Sequence, residues 1–122
     1  MTAETLAHES FPMLPGSAEI AGTDITVRKI TIAPGGTTGW HFHDGPVYAY
    51  VESGVLTRTL HDCSQVSTPA GQVIAEEVDA QHVHEGTNEG TSAVVLYALY
   101  VEPPGAPFAE DAAAPTCSVA AG

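Results

Sequence analysis

The hydrophobic pattern of this 122-residue chain consists of short apolar segments, rich in β-branched and aromatic residues. Groups such as APGGTTG, HDGP and NEGT separate them, and their Gly, Pro, Asn and Asp residues supply the backbone angles of turns. No window sustains an apolar stripe at i, i+3, i+4 and i+7, so the pattern predicts no long helix. The segments predict β-strands over residues 24–32, 47–53, 55–60, 72–78 and 93–101.

Many short strands at close spacing in one small chain are typical of an antiparallel sandwich or barrel of the jelly-roll kind. We therefore predict an all-β fold, with a single jelly-roll barrel over residues 21–104. Residues 1–20 are predicted to form an N-terminal arm, and residues 105–122 an Ala/Pro-rich C-terminal tail. Both end segments are expected to be irregular, lying over the barrel or extending into solvent.

The segment AVVLYALYV at 93–101 is apolar at both alternating positions, so both faces of this strand are predicted to be buried. Strand alternation also directs Tyr48 and Tyr50 outward, which indicates that the outer face of the sheet is covered. We therefore expect a homodimer in which a second copy of the chain covers this face.

The chain carries fifteen acidic residues against Arg28, Lys29 and Arg58, which gives a formal net charge of −12. Such a surface repels phosphate backbones and anionic lipids, so we expect neither nucleic acid nor membrane partners. No apolar run approaches the roughly 20 residues of a membrane helix, and no signal-peptide pattern is found, so we expect a cytoplasmic protein. In a reducing cytosol Cys63 and Cys117 are expected to be thiols, the alternative being a single bridge that ties down the tail.

Four of the six histidines form two His-x-His pairs, His41 with His43 and His82 with His84. Residues i and i+2 of a strand point to the same face, so each pair directs both imidazoles one way. Neutral imidazole is a common ligand of Fe, Mn, Ni, Cu and Zn. The two pairs predict one shared site for a divalent transition metal, the alternative being histidines that face solvent or merely pack.

The first of these pairs resembles the first motif of the cupin family, G-x5-H-x-H-x3,4-E-x6-G. The chain has Gly35, His41, His43, Val47 and Gly54 at that spacing, with valine at the position of the family's glutamate. The resemblance covers roughly residues 24–102. It implies a cupin-type barrel in which His41 and His43 bind a metal and Val47 forms an apolar wall of the pocket.

The second cupin motif, G-x5-P-x-G-x2-H-x3-N, matches with a two-residue ambiguity. His84 fits by its distance to Asn88, whereas His82 fits by its distance from Gly71. Because Val47 has no lone pair, we expect both His82 and His84 to be ligands. Four imidazoles would leave the site at 2+, and such a charge inside an acidic protein favours a neutral substrate that loses a proton on the metal.

The resemblance suggests three functions. The first is an oxidoreductase of the dioxygenase type, acting on a small, largely apolar substrate, because a carboxylate-free histidine site resembles the cupin dioxygenases. Iron is the metal expected for that activity, with Mn, Ni, Zn or Cu as alternatives. The second is a metal-dependent isomerase, cyclase or lyase, and the third is a non-catalytic ligand-binding module. Arg58 is interpreted as an ion-paired surface residue, the alternative being contact with a substrate carboxylate.

Overall fold

The structure is a computed structural model that describes residues 1–12 and 22–117. Each of the five strands predicted from the sequence lies within two residues of an observed one. The elements in chain order are β1 (Thr2–Phe11), β2 (Thr23–Ile32), β3 (His41–Phe42), β4 (Val47–Ser53), β5 (Val55–Thr59), β6 (Gln65–Pro69), β7 (Val73–Glu76), β8 (Glu85–Thr87), β9 (Val94–Glu102) and β10 (Glu110–Asp111).

The strands form two layers. A five-stranded antiparallel sheet has the order β1-β2-β9-β4-β7, and a three-stranded sheet has the order β6-β5-β8. The short pair β10-β3 continues the second layer, because His41 and His84 exchange backbone N–H···O hydrogen bonds of 3.0 and 2.9 Å. This arrangement confirms the predicted all-β, single-domain jelly-roll fold.

The core between the layers is built from alternate positions of each strand. On β9, buried residues alternate with half-buried ones along the whole strand, which is the period of two expected when one face packs on a core. The outer face of β9 is thus only half-buried in a single copy of the chain. The buried apolar residues are Ile30, Ile32, Val47, Ala49, Val51, Leu56, Ile74, Val94, Leu96, Ala98 and Tyr100.

The N-terminal arm is not irregular where the structure describes it. Residues Thr2–Phe11 form β1, which pairs with β2 at the edge of the larger sheet. All ten residues of β1 are exposed, so backbone pairing holds the strand, supported by the hydrogen bond that Ser10 Oγ donates to Asp24 Oδ1 at 2.7 Å. The prediction of an irregular arm is wrong for these residues, and residues 13–20 lie outside the described part of the chain.

The C-terminal tail lies against the barrel. Its strand β10 pairs with β3, and Phe108 packs on the core. Cys117 forms a disulfide with Cys63, so the expectation of two thiols is wrong and the bridge that ties down the tail is observed. Residues 118–122 lie outside the described residues.

The cytoplasmic location of the protein stays a prediction.

The described residues include no helix long and apolar enough to cross a membrane.

The outer face of the larger sheet exposes apolar side chains on β4 and β7. Tyr48 and Tyr50 are 44% and 43% exposed, and Val73 is 68% exposed. Contiguous apolar surface of this kind commonly marks a site of protein association. The predicted homodimer remains untested, and this face is where a second copy would bind.

The buried face of β9 ends at Glu102, which carries a carboxyl group. Glu102 is only 4% exposed, and neither of its carboxyl oxygens has a hydrogen-bond partner among the described residues. Burial raises the pKa of Glu102 to about 7, and the nearby carboxyl groups of Asp44 and Glu110 act in the same direction, while His43 opposes them. Glu102 therefore binds a proton more tightly in the folded chain than in the unfolded one.

We predict that light scattering gives twice the monomer mass of 12.6 kDa. Val73→Glu should convert the dimer to a monomer, because it places an uncompensated charge in the buried interface. Val66→Glu is the matched control, since Val66 is an exposed apolar residue on the other sheet. A wild-type monomer at micromolar concentration would contradict the dimer.

We also predict that the contribution of Glu102 to stability falls as the pH rises from about 4.5 to about 7. Over this range the carboxyl group of Glu102 ionises in the unfolded chain, whereas in the folded chain it is buried and keeps its proton. Glu102→Gln should therefore raise the unfolding temperature at pH 8 by a few degrees, corresponding to about 1 kcal/mol, and change it little at pH 5. The control is Glu89→Gln, which neutralises an exposed glutamate. Equal effects of the two variants at pH 8 would exclude this explanation.

Candidate metal centre

Four side chains from three segments converge inside the barrel. They are His41, His43, Glu76 and His84, and their ligand atoms all lie within 4.8 Å of one another. His41 begins β3 and His43 follows it, while Glu76 ends β7 and His84 precedes β8. The backbone bridge between His41 and His84 brings their rings to a centroid distance of 4.4 Å. These four residues are positioned to hold one metal ion.

Each of the three histidines is oriented by a backbone carbonyl group that accepts a hydrogen bond from Nδ1–H. This tautomer leaves the lone pair on Nε2, which is the atom available to a metal. Burial lowers the pKa of His41 and so favours its unprotonated form. The Nδ1–O distances are 2.8 Å from His41 to Gly39, 2.8 Å from His43 to Phe108 and 3.0 Å from His84 to His82.

The spacing of two of these nitrogens fits a shared ion. The Nε2 atoms of His43 and His84 are 3.2 Å apart, so two lone pairs would face each other unless a proton or a cation lies between them. Two nitrogens that are each about 2.0–2.1 Å from one ion are separated by about 3.0–3.4 Å at ordinary bond angles. The donor set of three imidazoles and one carboxylate suits Zn, Fe, Mn, Ni or Cu.

Glu76 supplies a carboxylate that was not predicted as a ligand. Its Oε2 is 3.0 Å from His43 Nε2 and also contacts His84 Nε2, and its side chain is 13% exposed. Burial favours the neutral acid, but the two histidine contacts outweigh that effect and hold the pKa of Glu76 well below its usual range. With Glu76 as a ligand, a divalent ion would leave the site at 1+, so the expected 2+ site of four imidazoles is wrong.

Val47 explains why Glu76 occupies this position. Val47 is 2% exposed and lies directly opposite Glu76 in the antiparallel pairing of β4 with β7. Directly opposed residues in such a pair place their side chains on the same face of the sheet, about 5 Å apart. The carboxylate absent from the first motif is therefore supplied from the neighbouring strand. One signal in the sequence pointed to it, because alternation within QVIAEEV places Glu76 on the same face as the apolar Ile74.

His82 lies outside the cluster, so the prediction that it is a metal ligand has to be corrected. Its Nε2 is 2.8 Å from Glu77 Oε2, while its Nδ1 is 2.8 Å from the Val78 carbonyl oxygen and 3.2 Å from Asp79 Oδ1. The i, i+2 argument requires an extended strand, but His82 lies in a turn and β8 begins only at Glu85. The two histidines of this pair therefore point in different directions.

Two adjoining cavities give access to the cluster. The inner cavity, of about 50 Å³, is lined by the four clustered side chains together with Val47 and other core residues. The outer cavity, of about 160 Å³, is also lined by His61, His82 and Glu77. Arg58, Glu76 and His84 line both cavities. The outer volume is below the roughly 300–1,000 Å³ of pockets for drug-sized ligands, so the space suits a small molecule.

Residues 28–101 match the Cupin_2 family, the cupin domain. The chain belongs to the cupin family. This membership confirms the resemblance of the first motif, and in this cupin the carboxylate of the cluster comes from Glu76 on β7, directly opposite Val47 on β4. A search of curated proteins finds no match.

Several solved structures are similar to this cupin. A cupin 2 conserved barrel domain protein from Salinispora arenicola has a TM-score of 0.61 and 19% identity over 84% of this chain and 75% of that one. The polyketide cyclase RemF from Streptomyces resistomycificus has a TM-score of 0.58 and 20% identity over 73% and 61%. A proposed sugar phosphate isomerase from Acidithiobacillus ferrooxidans has a TM-score of 0.54 and 26% identity over 62% of this chain. This cupin spans only 48% of that isomerase chain.

We predict that His43→Ala abolishes stoichiometric metal binding and that Glu76→Gln weakens it by at least about tenfold, because a charged ligand is lost. His82→Ala is the matched control and should retain the full metal content. Elemental analysis after dialysis, combined with competition against a chromophoric chelator, measures both quantities. Loss of metal in His82→Ala with full retention in Glu76→Gln would favour the four-histidine site instead.

Proposed function

We propose that this cupin is a metal-dependent enzyme that catalyses a redox-neutral proton transfer on a small molecule, as an isomerase, cyclase or lyase does. The observation that carries the proposal is the shared wall between the metal-binding cluster and the outer cavity, formed by Glu76 and His84. A molecule in that cavity lies against two of the four metal-binding side chains. When bound, a divalent ion would supply Lewis acidity that makes a neighbouring proton easier to remove.

The outer cavity also holds side chains suited to moving a proton. His82 and Glu77 both line it, and their Nε2 and Oε2 atoms are 2.8 Å apart. His61 lies beside His82, with a ring centroid distance of 5.2 Å. Both ring nitrogens of His82 face acceptors, the Val78 carbonyl and the Glu77 carboxylate, so this pair can give a proton to a substrate from His82 and receive one at Glu77. In this proposal His82 therefore serves the substrate rather than the metal.

The comparisons support the same class of reaction. A polyketide cyclase and a proposed sugar phosphate isomerase are among the structures similar to this cupin, and both names describe conversions without net oxidation. Identities of 20% and 26% carry the fold and not the substrate. The reaction class therefore rests on the cluster and its cavity, with these names as support.

A dioxygenase, and thus an oxidoreductase, is the second candidate. The apolar lining of the inner cavity by Val47, Ala49 and Leu56 favours it, since this lining suits an apolar substrate, and three imidazole nitrogens suit iron. Its original basis was a site without a carboxylate, and Glu76 removes that basis. A ligand-binding module without turnover is the third candidate.

One experiment separates these candidates. Protein loaded with Zn²⁺, Mn²⁺ or Fe²⁺ is incubated in D₂O with acetone, 2-butanone, pyruvate or 2-oxobutyrate, and NMR follows the exchange of carbon-bound hydrogen for deuterium. We expect metal-dependent exchange at equal rates in air and under argon, lost in His43→Ala and retained in His8→Ala, whose side chain lies on β1 away from the cluster. Oxygen uptake by the iron-loaded protein would favour the dioxygenase. Metal binding without exchange or uptake would favour the binding module.

A further inference from the structure

We propose that Arg58 binds the carboxylate group of a small anionic ligand at the mouth of the metal-binding cavity. The binding of this ligand requires no turnover. Only the statement that the bound molecule reacts there rests on the proposed function. The proposal names a substrate class for the site: a short-chain carboxylate small enough for the outer cavity.

The position of Arg58 on β5 directs its side chain into the barrel. Leu56 is 3% exposed and faces the core, and Arg58 lies two residues further along the same strand. Arg58 lines both cavities, beside Glu76 and His84. The interpretation of Arg58 as an ion-paired surface residue is therefore wrong.

Arg58 has no counterion in the described part of the chain. All four ion pairs within residues 1–12 and 22–117 involve histidine, and the buried Nε of Arg58 has no hydrogen-bond partner there. The two acids on the cavity wall are already engaged by histidines, Glu76 by His43 and His84 and Glu77 by His82. A guanidinium group with unused donors is costly to keep half-buried, and a carboxylate satisfies two of its N–H groups at once.

The charge of the interior also favours an anion. A divalent ion bound with Glu76 would carry a net 1+. Arg58 adds one positive charge to the outer cavity and Glu77 adds one negative charge, which leaves a net 1+. One bound carboxylate would neutralise this charge. The acidic exterior repels anions at long range, but salt screens that repulsion beyond about 8 Å at physiological ionic strength. Arg58, which has no acidic partner among the described residues, therefore favours an anionic substrate over the neutral one expected from the sequence.

The size of the outer cavity limits the ligand. Its volume of about 160 Å³ is well below the roughly 300–1,000 Å³ of pockets for drug-sized ligands. This space accommodates a carboxylic acid with two to four carbons. Such a molecule, held by Arg58 at one end, places its other end against Glu76 and His84.

Arg28 provides a matched control. It is the other interior-facing arginine, on β2, and its Nε also lacks a partner among the described residues. Its guanidinium carbon lies 4.3 Å from the centroid of the Phe108 ring, and Arg28 lines neither of the two cavities. Arg28→Gln therefore removes the same charge from the interior without altering the proposed binding position.

Calorimetric titration with propionate and with its neutral isostere propionamide tests the proposal. We expect wild-type protein to bind propionate at least about tenfold more tightly than propionamide, and Arg58→Gln to lose this preference. Arg58→Lys should retain part of it, and Arg28→Gln should keep it within about twofold. Each titration is run on Zn²⁺-loaded and on metal-free protein, with metal content and unfolding temperature recorded for every variant. The NMR signal of the Arg58 Nε–H group provides a readout that does not depend on activity.

Three results would overturn the proposal. They are equal binding of propionate and propionamide by the wild type, an equal loss in Arg28→Gln and Arg58→Gln, and propionate binding that survives Arg58→Gln but disappears with the metal. Arg58-dependent binding of propionate together with no metal-dependent turnover would instead overturn the proposed function and support the assignment of Arg58. Arg58→Lys keeps the test valid if Arg58→Gln fails to fold.

Discussion

The candidate site depends on one pair of backbone hydrogen bonds, exchanged between His41 and His84. These bonds join β3 to the segment before β8 and thereby complete the second layer of the barrel. The same two residues carry metal-binding imidazoles, so the bridge that closes the layer also brings two of the three histidines of the site together. Loss of this bridge would therefore displace both imidazoles.

The C-terminal tail contributes to the site through a similar link. The carbonyl oxygen of Phe108 accepts the hydrogen bond that fixes the ring of His43, and β10 pairs with β3 beside His41. The disulfide between Cys63 and Cys117 holds the far end of this tail to the turn between β5 and β6. The tail therefore supports two of the three histidines, although its composition suggested a loosely attached segment.

Period-two alternation and turn residues sufficed to predict β2, β4, β5, β7 and β9, because these strands bury one face and their sequences reflect it. The same rule placed His41 and His43 correctly on one face. It failed at His82, because Asp79 adopts a positive φ of 86° and begins a turn that ends the alternation. It also missed β1, whose exposed residues have no apolar pattern. The role of Glu76 depends on the strand register, which is a tertiary property that a single sequence does not display.

The location of the carboxylate on β7 instead of β4 determines which side chains line each part of the cavity. A glutamate at position 47 would reach the cluster from β4, whereas Glu76 reaches it from β7, the edge strand of the larger sheet. Glu76 and His84 thus both border the outer cavity that Arg58 also lines. Glu76 and Arg58 do not form an ion pair. The carboxylate of Glu76 contacts His43 and His84, while the guanidinium group of Arg58 faces the cavity. Placing the carboxylate on the edge strand therefore leaves an apolar wall at Val47 on one side of the cluster and a cationic opening on the other.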